Sequence, residues 1–288
     1  MTKTPWTLKE DINHVLTTGS GWTKEISEWV AHMVAESLNR QFRGRDQQRK
    51  RVLRASNLGT PCERALWYHV NSESDGEPLS PSTFNKFIYG DITESYVLGL
   101  CKAAGHDVAG LQDTVDVCGI RGSRDCVIDG MLFDIKSAAS QSFTKFDKGT
   151  LRDNDLFGYI SQLSTYLYGS QSDPLVTYKD KAGFLAFDKQ HGHIAVDIYD
   201  LSEELEKKEQ EVLRKQHIVN EMEPPERPFE PVPDGKSGNM KLPTNCSYCQ
   251  WKHQCWDNLR GFIYSSGPRW LTEVVYTPKV PEIGGENF

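Results

Sequence analysis

No stretch of this chain approaches the roughly 18 consecutive apolar residues that a membrane span requires. Its first residues, MTKTPWTLKEDINHV, lack the basic, apolar and small-residue order of a secretory signal. Membrane insertion is disfavoured on the first count, and on the second the chain is expected to stay in a reducing cytoplasm. Positive charge is in short supply: the formal net charge is -7, which argues against general nucleic-acid affinity because phosphate contacts need local positive charge. Internal repeats are absent, which sets aside repeat architectures. What is there describes a soluble globular protein: 288 residues, 38% hydrophobic and 25% charged, with a mean hydropathy of -0.56. That length carries one sizeable core with additions at both ends.

Seven cysteines in a reducing compartment point to metal ligands or small core residues, not disulfides. The one strong basic block runs from Arg40 to Arg54, where Arg43, Arg45, Arg49, Lys50 and Arg51 face a single acid, Asp46. A DNA-facing patch on one side, and a solvated helix face or flexible connector on the other, explain it about equally well.

Apolar periodicity predicts an amphipathic helix over residues 24 to 42 and further helices over 61 to 70 and 83 to 104. In the last of these Phe84, Phe87, Ile88, Ile92, Tyr96, Val97 and Leu100 form the expected apolar side. Strand signals fill 113 to 138, a helix covers 156 to 168, and strands near 182 to 187 and 193 to 199 flank a turn-like DKQHG segment. Ser202 is the expected N-cap of a charged helix reaching 220. Five prolines between Pro224 and Pro233 predict a stiff linker. The expected organisation is an N-terminal helical region (1 to 55), a core (56 to 222), a linker (223 to 240), a cysteine module (241 to 262) and an irregular tail (263 to 288).

Residues 125 to 136, DCVIDGMLFDIK, carry the most chemistry. Asp129-Gly130 between two apolar runs is a strong two-residue hairpin signal. The turn sets Ile128 opposite Met131, Cys126 opposite Phe133 and Asp125 opposite Asp134. Alternation then puts Cys126, Ile128, Met131, Phe133 and Ile135 on one apolar face, and Asp125, Asp134 and Lys136 on the other with Val127 and Leu132. Directly opposed residues have Cβ atoms about 4.5 to 5.5 Å apart, where like charges repel unless something compensates them. A divalent cation would do so; oxygen ligands suit Mg²⁺ or Mn²⁺, which can activate a water and neutralise charge at a phosphoryl group. The bland alternative is a surface hairpin with solvated acids. Asp129 reads as a turn residue, and His191 and His193 as solvated residues of a hairpin tip.

Gly122-Ser123-Arg124-Asp125 followed by Asp134-Ile135-Lys136 resembles motifs II and III of the RecB-type PD-(D/E)xK nucleases. Gly90 to Glu94 fits that family's glycine followed by a His or Glu metal ligand, and Gln162 to Tyr166 fits its Gln-x-x-x-Tyr helix, with both groups on one face. The resemblance implies an α/β fold with a restriction-endonuclease-like core, a mixed central sheet flanked by helices, N-terminal helices and a C-terminal cysteine module. It implies Mg²⁺ or Mn²⁺ held by Glu94, Asp125, Asp134 and the Ile135 carbonyl, a catalytic Lys136, and Gln162 and Tyr166 positioning Lys136 or DNA. Many members have histidine where this chain has Glu94, a departure that bears on metal preference. An ordinary amphipathic helix is the alternative reading of Gln162 and Tyr166.

Cys246, Cys249 and Cys255 form C-x2-C-x5-C in an aromatic module, and three thiolates this close call for a fourth ligand. Cys62, at the start of a helix that would favour its thiolate, is the best candidate. One cysteine before the nuclease motifs and three after them resembles the iron-sulfur subset of the same nucleases, which includes the CRISPR-associated cluster-bearing exonucleases and AddB. That resemblance implies a 4Fe-4S cluster on Cys62, Cys246, Cys249 and Cys255, and exonuclease action on single-stranded DNA or DNA ends with 5′ to 3′ polarity. Zinc competes, with His253 near enough to replace one thiolate. Either metal would close a loop of roughly 180 residues. Cys101, Cys118 and Cys126 read as small core residues. Trp67, Tyr68, Trp251 and Trp256 either pack around the metal or stack on unpaired bases. A non-cleaving DNA-binding or assembly subunit is the rival function. A helicase, recombinase or integrase stands as the candidate protein partner, with the choice open.

Overall fold

The computed structural model describes residues 3–43, 51–73 and 76–284. Its helices are α1 (Leu8–Thr18), α2 (Lys24–Arg43), α3 (Ala55–Leu58), α4 (Glu63–Asn71), α5 (Pro81–Ala103), α6 (Ser140–Asp147), α7 (Tyr159–Gly169), α8 (Ser202–Val219), α9 (Thr244–Ser247) and α10 (Lys252–Cys255). Its strands are β1 (Val108–Ala109), β2 (Thr114–Val117), β3 (Ile120–Ser123), β4 (Cys126–Ile128), β5 (Met131–Ala138), β6 (Lys181–Asp188), β7 (Ile194–Asp200), β8 (Val232–Pro233), β9 (Met240–Lys241), β10 (Arg260–Tyr264) and β11 (Gly267–Glu273). Among the described residues no helix is long and apolar enough to cross a membrane.

Two units form, interleaved in sequence: Met1–Gly59 with Ser80–Arg214, and Thr60–Leu79 with Lys215–Phe288. The first is a mixed α/β unit. Its five-stranded sheet runs β1-β4-β5-β6-β7. Only β5 and β6 are parallel, because α6 and α7 intervene between them. Residues from α1, α2 and α5 bury one face of the sheet, with Leu8, Ile12, Val97, Leu98 and Leu100 against Cys126, Ile128, Met131, Phe133 and Ile135. Phe143, Phe146, Leu163 and Leu167 of α6 and α7 cover the other face, over Val127, Leu132 and Phe184.

That division follows from the hairpin. Asp129 (φ 49°) and Gly130 (φ 80°) both take positive φ, which matches the twist of the two strands they join. The register is Cys126↔Phe133, Val127↔Leu132 and Ile128↔Met131, as the turn dictates. A slip of one residue would move every apolar side chain to the wrong face. The Asp129 carboxylate is tied into the turn, with Oδ2 2.6 Å from His106 Nδ1 and Oδ1 accepting from the Asp107 N–H at 3.0 Å.

Several expectations need correction. Only the C-terminal half of α5 is buried, whereas Phe87 and Ile92 are exposed, because α1, α2 and the sheet enclose only the Val97–Cys101 end. Cys118 is only partly buried, at the edge of the cluster of Leu58, Val117, Ile120 and Val212, because it forms the β2–β3 turn with Gly119, at φ 52° and 81°. Ser202 is the first residue of α8, its hydroxyl donating to Asp200 Oδ1 at 2.7 Å. In the second unit, the stretch expected as an irregular tail contains β11, the long strand of a four-stranded sheet ordered β10-β11-β9-β8. The proline-rich stretch carries no regular structure from 224 to 231, yet it is anchored within this unit: Arg64 donates to the Pro225 carbonyl at 2.6 Å and Trp67 Nε1 to that of Glu221 at 2.9 Å.

Candidate active site and cysteine centre

Asp134 and Lys136 stand on β5, the middle strand of the sheet, and Asp134 is 2% exposed. Lys136 Nζ lies 2.5 Å from Asp134 Oδ2, an ion pair. Asp125, just before β4, accepts the Ile135 N–H on Oδ2 at 2.8 Å, so its carboxylate is held over the strand that carries Asp134. The side chain of Ile135 lies in the opposite core. Gln162 Oε1 accepts from Lys136 Nζ at 3.3 Å, and Gln162 Nε2 donates to Tyr166 OH at 3.2 Å and to the Ser56 carbonyl at 3.4 Å. Gly59 permits this approach: a Cβ there would stand 2.8 Å from the Gln162 Cβ. Gln162 therefore reaches Lys136, and Tyr166 reaches Gln162 from the same helix face, as the i, i+4 spacing predicts.

Glu94 on α5 lies within electrostatic reach of Asp125 and Asp134. Burial pushes its carboxyl up to about 7, with Asp91 and Asp134 adding repulsion and a Gln112 hydrogen bond opposing. Burial, Asp134 and Glu94 push Asp125 well above the ordinary carboxylate range. For Lys136, burial alone would lower the pKa, but Asp134 and Asp125 outweigh it, and the ammonium is held protonated. Tyr166 is raised by burial and by the same carboxylates.

Three neighbours were not assigned to this site by sequence. Gln112 Nε2 donates to Glu94 Oε1 at 2.9 Å. The Tyr159 ring lies 4.9 Å below Lys136 Nζ. Arg40 pairs with Asp91 at 3.8 Å, one turn before Glu94. Of the basic block, Arg43 ends α2, Arg51 and Arg54 precede α3, and Arg45, Arg49 and Lys50 lie outside the described residues.

The second unit holds Cys62 as the residue preceding α4, Cys246 in α9, Cys249 just after it and Cys255 in α10. All are free thiols. Burial raises Cys62 most, and the charge of Cys255 adds to it. The Ala65 and Arg64 N–H groups pull Cys62 the other way without prevailing, so its helix N-terminal position does not make it a ready thiolate. Cys246 is pushed up to about 11 by burial and by Cys62 and Cys255; Cys249 is pushed up to about 12 by burial and by all three others. Cys62, Cys246 and Cys249 thus each lie within electrostatic reach of Cys255. Trp251 stacks on Tyr68 at 6.3 Å, and Trp256 and Trp270 pack with Cys246 and Cys255. Among the described residues, no three His, Cys, Asp or Glu side chains stand already gathered as a metal shell.

No family model matches the chain, and no curated protein does. A solved crystal structure of SSO0001 is similar at 15% identity, covering 80% of this chain and 95% of that one, with a TM-score of 0.36. At that score the likeness carries no argument.

Proposed function

We propose that this chain is a metal-dependent DNA exonuclease with a PD-(D/E)xK core, hydrolysing phosphodiester bonds of single-stranded DNA or DNA ends. The observation that carries the reading is that Asp134 pairs with Lys136 and Asp125 is held over the same strand, with the Glu94 carboxyl near enough to both acids that burial and mutual repulsion raise it and Asp125. Such a donor set fits a hard divalent cation, whose charge would relieve that repulsion. Bound there by Glu94, Asp125 and Asp134, Mg²⁺ or Mn²⁺ would supply Lewis acidity and a more acidic water.

Lys136 is the chain's own contribution to the chemistry. Paired with Asp134, it is placed to donate a hydrogen bond to the phosphoryl group or to orient the attacking water. Gln162 fixes its direction, and Tyr166 fixes Gln162. The 5′ to 3′ polarity and the single-strand preference rest on the family resemblance.

Cys62, Cys246, Cys249 and Cys255 fit a 4Fe-4S cluster by their chemistry: four free thiols within one unit, three of them on the two short helices and turn of residues 244 to 255, suit a metal that binds thiolates. The His253 ring stands edge-on to Trp270 at 4.8 Å, and zinc remains the competing metal for the thiol set.

The test is degradation of end-labelled single-stranded and duplex DNA by anaerobically purified protein with Mg²⁺ or Mn²⁺, beside Lys136→Ala. Activity lost in the variant supports the reading. A wild type inert on every DNA overturns it in favour of a non-cleaving assembly subunit.

A further inference from the structure

Between β1 and β2 the chain passes through Gln112, whose φ of 53° lies in the left-handed region. A side chain pays a steric penalty there that glycine escapes, and a residue kept at such an outlier marks a candidate functional position. Gln112 makes two contacts. Its backbone N–H donates to the Asp125 carbonyl at 3.0 Å, and its side-chain Nε2 donates to Glu94 Oε1 at 2.9 Å. One residue thus ties the start of the hairpin to the carboxylate on α5.

The loop beneath it is pinned independently. The Arg124 N–H donates to the Asp113 carbonyl at 3.1 Å, and the buried Arg124 guanidinium pairs with the Asp113 carboxylate at 3.1 Å. Glycine at 112 would make the same backbone hydrogen bond with less strain. The side-chain amide is therefore the part of Gln112 that the loop itself does not require.

We propose that Gln112 is a positioning residue for divalent-cation binding, its amide fixing Glu94 so that this carboxylate is presented together with Asp125 and Asp134 to one Mg²⁺ or Mn²⁺. This rests on reading those three carboxylates as cation ligands. Groups that orient a ligand from outside the metal shell are worth about 10- to 100-fold in affinity. Because Gln112 is exposed, water competes for its contact, and the lower end, about tenfold, is expected.

The test titrates Mn²⁺ into the full chain without DNA, following the loss of the free-ion EPR signal, for wild type, Gln112→Gly, Gln112→Asn and Glu94→Ala, with thermal midpoints measured metal-free. Gln112→Gly is expected to keep or raise the midpoint while weakening Mn²⁺ binding about tenfold. Asn, which tolerates the left-handed backbone but is one methylene shorter, is expected to weaken it likewise. If Gln112→Gly binds Mn²⁺ like wild type while Glu94→Ala binds weakly, the role of Gln112 is wrong and the cation site stands. Loss of stability and affinity together in Gln112→Gly would make Gln112 a structural residue and overturn the proposal. Unchanged binding in Glu94→Ala removes Glu94 from the site, and the proposal with it.

Discussion

The Asp125 carboxylate, one residue outside the last paired position of the hairpin, Cys126↔Phe133, accepts the backbone N–H of Ile135 at 2.8 Å. That bond holds the carboxylate beside Asp134 despite their repulsion. Asparagine at 125 can accept the same N–H without the charge. Asp125→Asn is therefore expected to stabilise the metal-free protein by about 1 kcal/mol, a gain typical of trading function for stability, or about 2–4 °C. DNA hydrolysis should fall on the order of a hundredfold to a thousandfold, the cost of losing one group that organises transition-state charge. Thermal unfolding without metal, beside the DNA assay, checks both halves; an unaltered rate would remove Asp125 from the site.

Lys136 is the one cation bonded to Asp134 among the described contacts. Truncating it leaves a buried carboxylate among like charges, and breaking a buried pair costs about 3–5 kcal/mol. Lys136→Ala is expected to lower the metal-free thermal midpoint, and Mg²⁺ or Mn²⁺ to restore much of the loss, because a cation replaces the ammonium. Wild type should gain less from the same additions. Equal gains in both proteins would show that the ion binds elsewhere.

The hairpin was legible because its determinants are local. Asp129-Gly130 sets the register, and alternation from Cys126 to Ile135 assigns the faces. The i, i+4 pair Gln162 and Tyr166 was legible for the same reason. Gln112 was not, since its contact with Glu94 depends on a loop meeting α5 from 18 residues away. Periodicity marked an apolar side on α5 but could not say which half other elements would cover. The Cys118-Gly119 turn hid in a continuous run of strand-forming residues, with Gly119 the only cue, and Gly267-Pro268 masked β11. The grouping of α4 with the C-terminal residues was foreshadowed only by matching Cys62 to the three later cysteines.

Asp197 on β7 is 7% exposed and accepts a short hydrogen bond from Tyr199 OH. Burial pushes its carboxyl up to about 6, the Tyr199 bond opposing. A carboxyl raised in the folded state holds its proton there more tightly than in the unfolded chain. Its contribution is most favourable below the unfolded carboxylate range, declines as pH rises through the interval up to about 6, and is constant above it. Asparagine keeps the acceptor and removes the titration. Asp197→Asn should therefore raise the thermal midpoint relative to wild type more at pH near 8 than at pH near 4. A difference independent of pH would mean that Asp197 has the same pKa in the folded and the unfolded chain.

In the second unit, Leu242, Trp256 and Trp270 form a small buried cluster with Cys246 and Cys255 at its edge. A core of that size holds a fold only with a staple, and metal binding by a thiolate set contributes directly to folding. Anaerobically purified protein is therefore expected to show the broad visible absorption of an iron-sulfur cluster. Cys249→Ser, or iron chelation under reducing conditions, should abolish it and open residues 244 to 256 to proteolysis at least about tenfold faster, because the population of the open form rises as the bound metal is lost. Wild type that is colourless and carries one zinc per chain would replace the cluster with zinc while keeping the four-thiol site. If Cys249→Ser leaves metal content and protease resistance unchanged, the four sulfurs do not share a metal, and the small apolar cluster must hold the unit by itself.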